Sequence, residues 1–315
     1  MTILVCGEAL YDVFFEDERA EGFTLDARIG GSAFNVAIGL GRMGQAVGLL
    51  TGVSRDRLGD KLAATLAEER VQTGYLSRKH ATTTLAMVSL GAGGSAEYQF
   101  YGEGAADRQV VEPDLPDPAP MSAAVFGCFS LVTKPTGDSF LLLAERMAKA
   151  NRLVVLDPNV RLNVEPDPAV WRARVEAFAT HAGLIKVSAE DLESLYPDEA
   201  AEDVAKRWIE GGSAAVVVTQ GGDGARIFTA SVSKSVPARE ATVVDTVGAG
   251  DSFLAALLTF ASERNFLSRD GFAGLSEEVA REALSFAACA ASLTCERRGA
   301  DLPLRGNVSA SPLPD

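Results

Sequence analysis

Short, almost wholly apolar runs recur along the chain, separated by longer segments whose apolar residues fall at helical spacing. The runs Ile3–Gly7, Ala46–Leu50, Ala124–Phe126, Leu153–Asp157, Leu184–Val187 and Ala214–Thr219 lack an alternating polar face. Strands of that kind are covered on both sides, as in parallel sheets. Between them, Ala33–Met43, Gly59–Glu69, Ser139–Ala150, Ala169–Thr180 and Ala201–Glu210 read as helices. The alternation predicts an α/β fold, with a mostly parallel central sheet and helices on both faces. Ligands in such folds gather beyond the carboxyl ends of the strands.

Two stretches, 11–29 and 83–102, break the rhythm. In the second, Thr84–Leu90 and Ala96–Tyr101 alternate about Gly91-Ala92-Gly93-Gly94, a hairpin pattern. Antiparallel strands inserted there predict a small β lid of 11–29 and 83–102, over a main α/β domain of 1–10, 30–82 and 103–315. A lid above the strand ends would exclude water from reacting groups. A plain surface hairpin is the other reading of the same pattern.

With 315 residues, 47% of them hydrophobic, the chain has ample material for a large core. A net charge of −14 argues against nucleic acid and anionic membrane as partners, since both need clustered Lys and Arg. Four cysteines (Cys6, Cys128, Cys289, Cys295) lie scattered without metal-ligand spacing, and the two histidines (His80, His181) do not easily build a zinc cluster or a hydrolytic triad. The first residues begin a strand rather than a signal peptide, and no apolar run is long enough to span a bilayer. These features predict a cytoplasmic protein.

Candidate chemistry concentrates at Val244–Leu254. Gly248, Ala249 and Gly250 precede Asp251, and the apolar run Phe253–Leu258 then reads as a buried helix. A helix start leaves N–H groups unpartnered and carries about half a positive charge, and small residues let a phosphate approach it. Asp251, in the first turn, would take the proton of an attacking hydroxyl, and the helix start is expected to favour its ionised form. An aspartate that only complements the helix dipole is the alternative on these residues alone.

A second glycine-rich segment, Gly30–Gly44, joins Gly30-Gly31 to Ser32, a candidate N-cap, and to Asn35, whose amide suits sugar hydroxyls. Within it Gly39-Leu40-Gly41-Arg42-Met43-Gly44 matches the dinucleotide pattern G-x-G-x-x-G. The match is rejected because these glycines are expected to end a helix rather than link a strand to one. The chain has neither a P-loop sequence nor protein-kinase signatures. A phosphoryl transferase built on it must hold ATP by another fold.

The order and separation of the two segments resemble the PfkB (ribokinase-like) family of carbohydrate kinases, with Gly30–Gly44 similar to its first signature and Asp245–Leu254 to its second. The resemblance spans nearly the whole chain. Gly7–Asp12, Gly30–Ala37, Ala105–Arg108, Asp157–Arg161 and Cys295–Ala300 are similar to segments of bacterial fructokinases. The resemblance implies a ribokinase-like fold and ATP-dependent transfer to a free monosaccharide, D-fructose to fructose 6-phosphate before others.

By the same resemblance Asp251 is the base, and the amides of Gly248, Ala249 and Gly250 form the anion hole. Asp12, Gly30, Gly31 and Asn35 hold the sugar, Phe100 closes over it, and Arg161 sits near the phosphates or the acceptor end. Lys186, Thr219, Gly221 and Gly224 bind the nucleotide, with Ala287–Leu293 beside the adenine. Asp245 borders a monovalent-cation site that would take K⁺. The family's N-x-x-E motif stands here as Ser188-Ala189-Glu190-Asp191, which assigns Mg²⁺, held through water, to Glu190 or Asp191. Related readings on this framework are a kinase for 2-keto-3-deoxygluconate, ribose or another ketose. A non-catalytic sugar-sensing protein is the reading from a different class. The lack of a basic residue between Phe100 and Arg108 favours a neutral sugar. The lid strands, as exposed edges, would suit a homodimer.

Overall fold

Side chains of β1 (Thr2–Cys6) divide between two cores: Ile3 and Val5 enter one, Leu4 and Cys6 the other. The same two-residue alternation runs through β4 (Val47–Ser54), β8 (Met121–Gly127), β9 (Leu153–Asp157), β10 (Leu184–Ser188) and β11 (Ala215–Thr219) once the strands between are counted in chain order. Those intervening strands are β2 (Leu10–Arg19), β3 (Gly22–Gly30), β5 (Leu76–Lys79), β6 (Leu85–Leu90) and β7 (Ala96–Tyr101), and β12 (Ala225–Phe228) and β13 (Ser233–Val236) close the series. The computed structural model describes residues 1–90 and 96–309, and the glycine turn at 91–94 lies outside them.

Nine strands pair in the order β13-β12-β11-β10-β9-β8-β1-β4-β5. Every pair from β11 to β5 is parallel, and β12 and β13 add an antiparallel edge. Helices cover both faces. On one side lie α1 (Ser32–Arg42) and α2 (Arg57–Glu68); on the other α3 (Thr136–Lys149), α4 (Pro168–Ala179), α5 (Ala189–Leu195) and α6 (Ala201–Glu210). The first side is completed by α7 (Ala249–Glu263), α8 (Arg269–Ala273) and α9 (Glu277–Cys295). Helix starts follow local chemistry: Asp167 caps α4 ahead of Pro168, and the Ser276 hydroxyl caps α9. Among the described residues no helix is long and apolar enough to cross a membrane.

From β1 the chain runs outward to β4 and β5, then returns to β8 and builds the sheet in the opposite direction. The exits of β1 and β8 therefore diverge, which opens a crevice at the carboxyl edge. A separate sheet, ordered β3-β2-β6-β7, rises from that edge. The parallel pairing of Tyr11–Phe14 with Leu85–Val88 unites its two inserted segments.

One local expectation changes, and several elements go unread in the sequence. Gly39 and Gly41 lie inside α1 rather than ending it; a Cβ on Gly39 would stand 2.8 Å from Ala255 Cβ, so its hydrogen lets α1 pack closely on α7. The short strands β5, β12 and β13 escape a search for apolar runs because each carries polar residues. The long helix α9 escapes a search for helical period as well, since its alanine-rich stretch has little polar contrast.

Candidate active site

The turn before α7 explains its glycine. Gly248 sits in the left-handed region at φ 79°, and a Cβ there would come within 2.7 Å of Ala300 Cβ. Of the three amides expected to make an anion hole, that of Ala249 donates to Thr246 O at 3.2 Å. Among the described residues, those of Gly248, Gly250 and Asp251 donate to no backbone carbonyl. Two of the three expected donors, Gly248 and Gly250, are thus free at this helix start, and the Asp251 amide is free beside them.

Asp251 is 7% exposed, and both of its oxygens are held from α1. Ser32 Oγ donates to Oδ1 at 2.6 Å and Asn35 Nδ2 to Oδ2 at 2.8 Å. Burial raises its pKa, and the two hydrogen bonds with the charges of Lys186 and Arg161 offset only part of that rise. The expectation that the helix start would favour the ionised form is corrected here: loss of water is the largest influence on the carboxyl and raises its pKa. A raised pKa makes Asp251 a stronger base.

The start of α1 departs from expectation too. Gly31, not Ser32, is the N-cap, at φ 106°, and Ser32 spends its hydroxyl on Asp251. The α1 amides are met from a distance: Glu8 Oε1 accepts from Ser32 N at 2.7 Å and from Ala33 N at 3.4 Å. On β2, Asp12 faces Gly30 so closely that a Cβ on Gly30 would lie 2.2 Å from Asp12 Oδ2. Burial pushes the Asp12 carboxyl up to about 6, against the pull of Arg161 and with the Asp251 charge adding to the rise. Glu8 is absent from the candidates that sequence reasoning yields; its only signal is an acidic residue directly after an apolar strand.

The carboxyl ends of β9 and β10 supply cations. Lys186 Nζ reaches Asp157 at 2.9 and 3.2 Å, with Lys186 5% and Asp157 3% exposed. The ammonium also stands 3.2 Å from where a Cβ of Gly250 would be, at the start of α7. Burial works against its charge, yet Asp157 wins and its pKa is raised. Asp157, buried, is itself pushed up to about 6 despite Lys186. Arg161 is partly buried and donates to Val160 O at 2.9 Å; among the described residues no carboxylate lies within ion-pair distance of it.

Asp191 is buried and committed to its own loop. Its oxygens accept from Val160 N at 2.8 Å and Ser188 N at 3.3 Å, the latter within a capping box on α5. Glu190 beside it is exposed. Thr219 ends β11 in register with Ser188, and Gly221 and Gly224 follow at φ 55° and 97° in a tight turn. Asp245 accepts from Val247 N at 3.1 Å and from Gly299 N at 2.8 Å, which ties the loop before α7 to the loop after α9. Among the described residues no cluster of three or more metal-ligating side chains occurs.

A cavity of about 1150 Å³ opens between the small sheet and these loops, lined by Asp12, Gly30, Asn35, Tyr98, Asp245 and Gly299 among others. Asp251 lies one hydrogen bond behind its wall, through Asn35. Phe100 is turned into an edge-on contact with Phe129, ring centroids 5.5 Å apart, and Tyr98 is the β7 aromatic that lines the cavity. The arrangement joins a buried carboxylate, free helix-start amides and two cations at one crevice, which suits transfer of an anionic group to a hydroxyl.

Residues 2–306 match the sequence profile of the pfkB family carbohydrate kinases. The chain belongs to that family. This kinase is 37% identical over 282 residues to a fructokinase of Rhizobium leguminosarum bv. trifolii, covering 89% of this chain and 85% of the relative. It is 32% identical to fructokinase-2 of Zea mays, covering 86% and 80%. Its fold superposes on the crystal structure of a Xylella fastidiosa fructokinase with bound ATP at a TM-score of 0.87 and 26% identity, covering 95% of this chain and 93% of the other. The main sheet with its flanking helices and the small second sheet form the ribokinase-like fold expected of a pfkB kinase.

Proposed function

We propose that this pfkB kinase transfers the γ-phosphoryl group of ATP to D-fructose, giving fructose 6-phosphate. The observation that carries the reading is the buried Asp251 carboxylate, gripped by Ser32 and Asn35 at the start of α7. Relatives named fructokinase at 37% and 32% identity support the sugar. The Xylella fructokinase of the same fold binds ATP, which supports the nucleotide.

Phosphoryl transfer has a loose transition state, so orientation and charge stabilisation matter more than base strength. In this reading Asp251 orients the acceptor hydroxyl and takes its proton late. The unpaired amides of Gly248 and Gly250 grip the migrating group. Lys186 and Arg161 add fixed positive charge, with Thr219, Gly221 and Gly224 under the nucleotide and Asp12, Gly30, Gly31 and Asn35 around the sugar. The small sheet serves as the lid that keeps water out, with Tyr98 facing the sugar and Phe100 behind it on Phe129.

When bound with ATP, Mg²⁺ neutralises charge on the phosphates. Asp191 is spent on two backbone amides, so Glu190 is the carboxylate with oxygens free for the magnesium hydration shell. A site for K⁺ beside Asp245 is tested by potassium titration. The exposed Phe15, Phe23 and Leu25 on the small sheet suit a homodimer, tested by sedimentation. An enzyme that consumes ATP would work in the cytoplasm.

A neutral sugar fits better than 2-keto-3-deoxygluconate. The cavity lining carries Asp12, Glu16, Asp17, Glu18, Asp245 and Asp301 against Arg28 and Arg298, and Arg28 is paired with Asp26 at 2.6 Å. Arg108 stacks its guanidinium 5.1 Å over Phe129. A coupled ADP-release assay across fructose, ribose, other ketoses and 2-keto-3-deoxygluconate, with and without Mg²⁺, tests the reading. Fructose should give the highest kcat/KM. Tight sugar binding with no turnover on any sugar would make the protein a sensor instead.

A further inference from the structure

The first turn of α1 has no side-chain cap of its own, since Gly31 occupies the N-cap position. Glu8, 24 residues earlier, supplies the missing acceptor through Oε1 at 2.7 Å from Ser32 N. Its Oε2 accepts from Ser130 Oγ at 3.3 Å, in the turn Cys128–Leu131 that follows β8. One carboxylate therefore ties the diverging exits of β1 and β8 to the helix start that holds Asp251.

Glu8 is 1% exposed, and among the described residues it has no ion-pair partner. Burying a carboxylate without a paired cation is costly, and the hydrogen bonds it accepts offset part of that cost. Three amide and hydroxyl donors converge on it, and two of the three belong to the turn carrying Ser32. The backbone of Gly31 is pressed against the same residue: a Cβ there would lie 2.8 Å from Glu8 O. A shift of this turn would move Ser32 Oγ and Asn35 Nδ2 together, and with them both oxygens of Asp251.

We propose that Glu8 is a positioning residue for phosphoryl transfer: as a carboxylate it fixes the first turn of α1, so that Ser32 and Asn35 hold Asp251 on the acceptor hydroxyl. The proposal rests on Asp251 being the base. Burial pushes the Glu8 carboxyl up to about 7, opposed by hydrogen bonds from its surroundings and raised further by Asp107. The titratable and charged groups facing it are the Cys128 thiol after β8, Asp107 before β8 and the Arg161 guanidinium after β9. Protonation removes the charge that complements the α1 dipole and weakens its grip on the amides. Activity through Glu8 is then present above its pKa and lost as pH falls through about 7.

The test compares kcat, sugar KM, the pH profile and thermal unfolding of wild type, Glu8→Gln, Ser130→Ala and Asp251→Asn. Glu8→Gln keeps the shape but not the charge. It should lower kcat by about 10- to 100-fold, with KM changing less than kcat, and should lose the limb near neutral pH. Wild-type kcat and profile in a folded Glu8→Gln protein overturn the proposal. If that variant does not fold, Ser130→Ala decides. Removing this donor should raise the Glu8 pKa and move the limb to higher pH, whereas an unmoved limb overturns the proposal. An inactive Asp251→Asn beside a normal Glu8→Gln sinks this inference alone. A fully active Asp251→Asn sinks the reading of the site and this inference with it.

Discussion

Asn35 Nδ2 donates to Asp251 Oδ2 at 2.8 Å, joining residues 216 positions apart. This bond links the two glycine-rich segments into one site. It ties a residue lining the cavity to the carboxylate that the proposed function makes the proton acceptor. Asp251→Asn should keep the fold and lower kcat by about 10²- to 10⁴-fold, the usual share of a general base. Circular dichroism and steady-state assay check this, and near-normal turnover would remove Asp251 from the mechanism.

The donors from α1 lower the Asp251 pKa against the rise that burial causes. Ser32→Ala or Asn35→Ala should therefore raise it. The acidic limb of kcat belonging to Asp251 should move to higher pH in either variant, by up to about one unit for a lost hydrogen bond worth about 1.4 kcal/mol. A limb displaced to lower pH would mean that these bonds favour the neutral acid.

Lys186 and Asp157 form a buried ion pair at 2.9 Å. Lys186→Met leaves a buried carboxylate unpaired, and should destabilise the protein by about 3–5 kcal/mol while raising the KM for ATP. Adding Asp157→Asn should restore much of the stability but not the ATP affinity. Urea unfolding beside ATP titrations separates the two effects. Equal recovery of both would make the pair purely structural.

Gly248 holds φ 79° with Ala300 packed against it. Gly248→Ala places a methyl group where none fits, at a cost of about 1–3 kcal/mol for the strained backbone. Because the same turn aims the α7 amides, kcat should fall by more than the sugar KM rises. Calorimetry and kinetics on one preparation test this.

Stability should also depend on pH in a definite direction. Burial raises the carboxyls of Glu8 to about 7 and of Asp12, Asp107 and Asp157 to about 6, all above ordinary carboxylate values. Between those ordinary values and neutrality the folded state binds more protons than the unfolded state, so stability falls as pH rises through that window. Lowering the net charge of −14 by acidification acts in the same direction. The melting temperature should be higher near pH 6 than near pH 8, and the reverse order would show these groups to be better solvated than their burial implies.

Much of this protein was legible in its residues because parallel strands covered on both faces need unbroken apolar runs. Ile3–Cys6, Leu153–Leu156 and Val216–Val218 announce themselves that way. Glycines at turns are equally legible, since the positive φ that Gly31 and Gly248 adopt favours glycine. Short strands with polar members, such as β5 and β13, carry no such mark and exist because a neighbouring strand pairs with them.

The sequence by itself determined the layered sheet, the two glycine-rich helix starts and the carboxylate beside one of them, because local backbone conformation and apolar periodicity are written in neighbouring residues. Only the tertiary structure decided what each polar group does. Ser32 became a donor to Asp251 rather than a cap, Glu8 took over the capping, Asp191 was consumed by its own loop, and burial raised the pKa of Asp251. The physical reason is that desolvation and hydrogen-bond partners come from residues distant along the chain, and no local pattern encodes them.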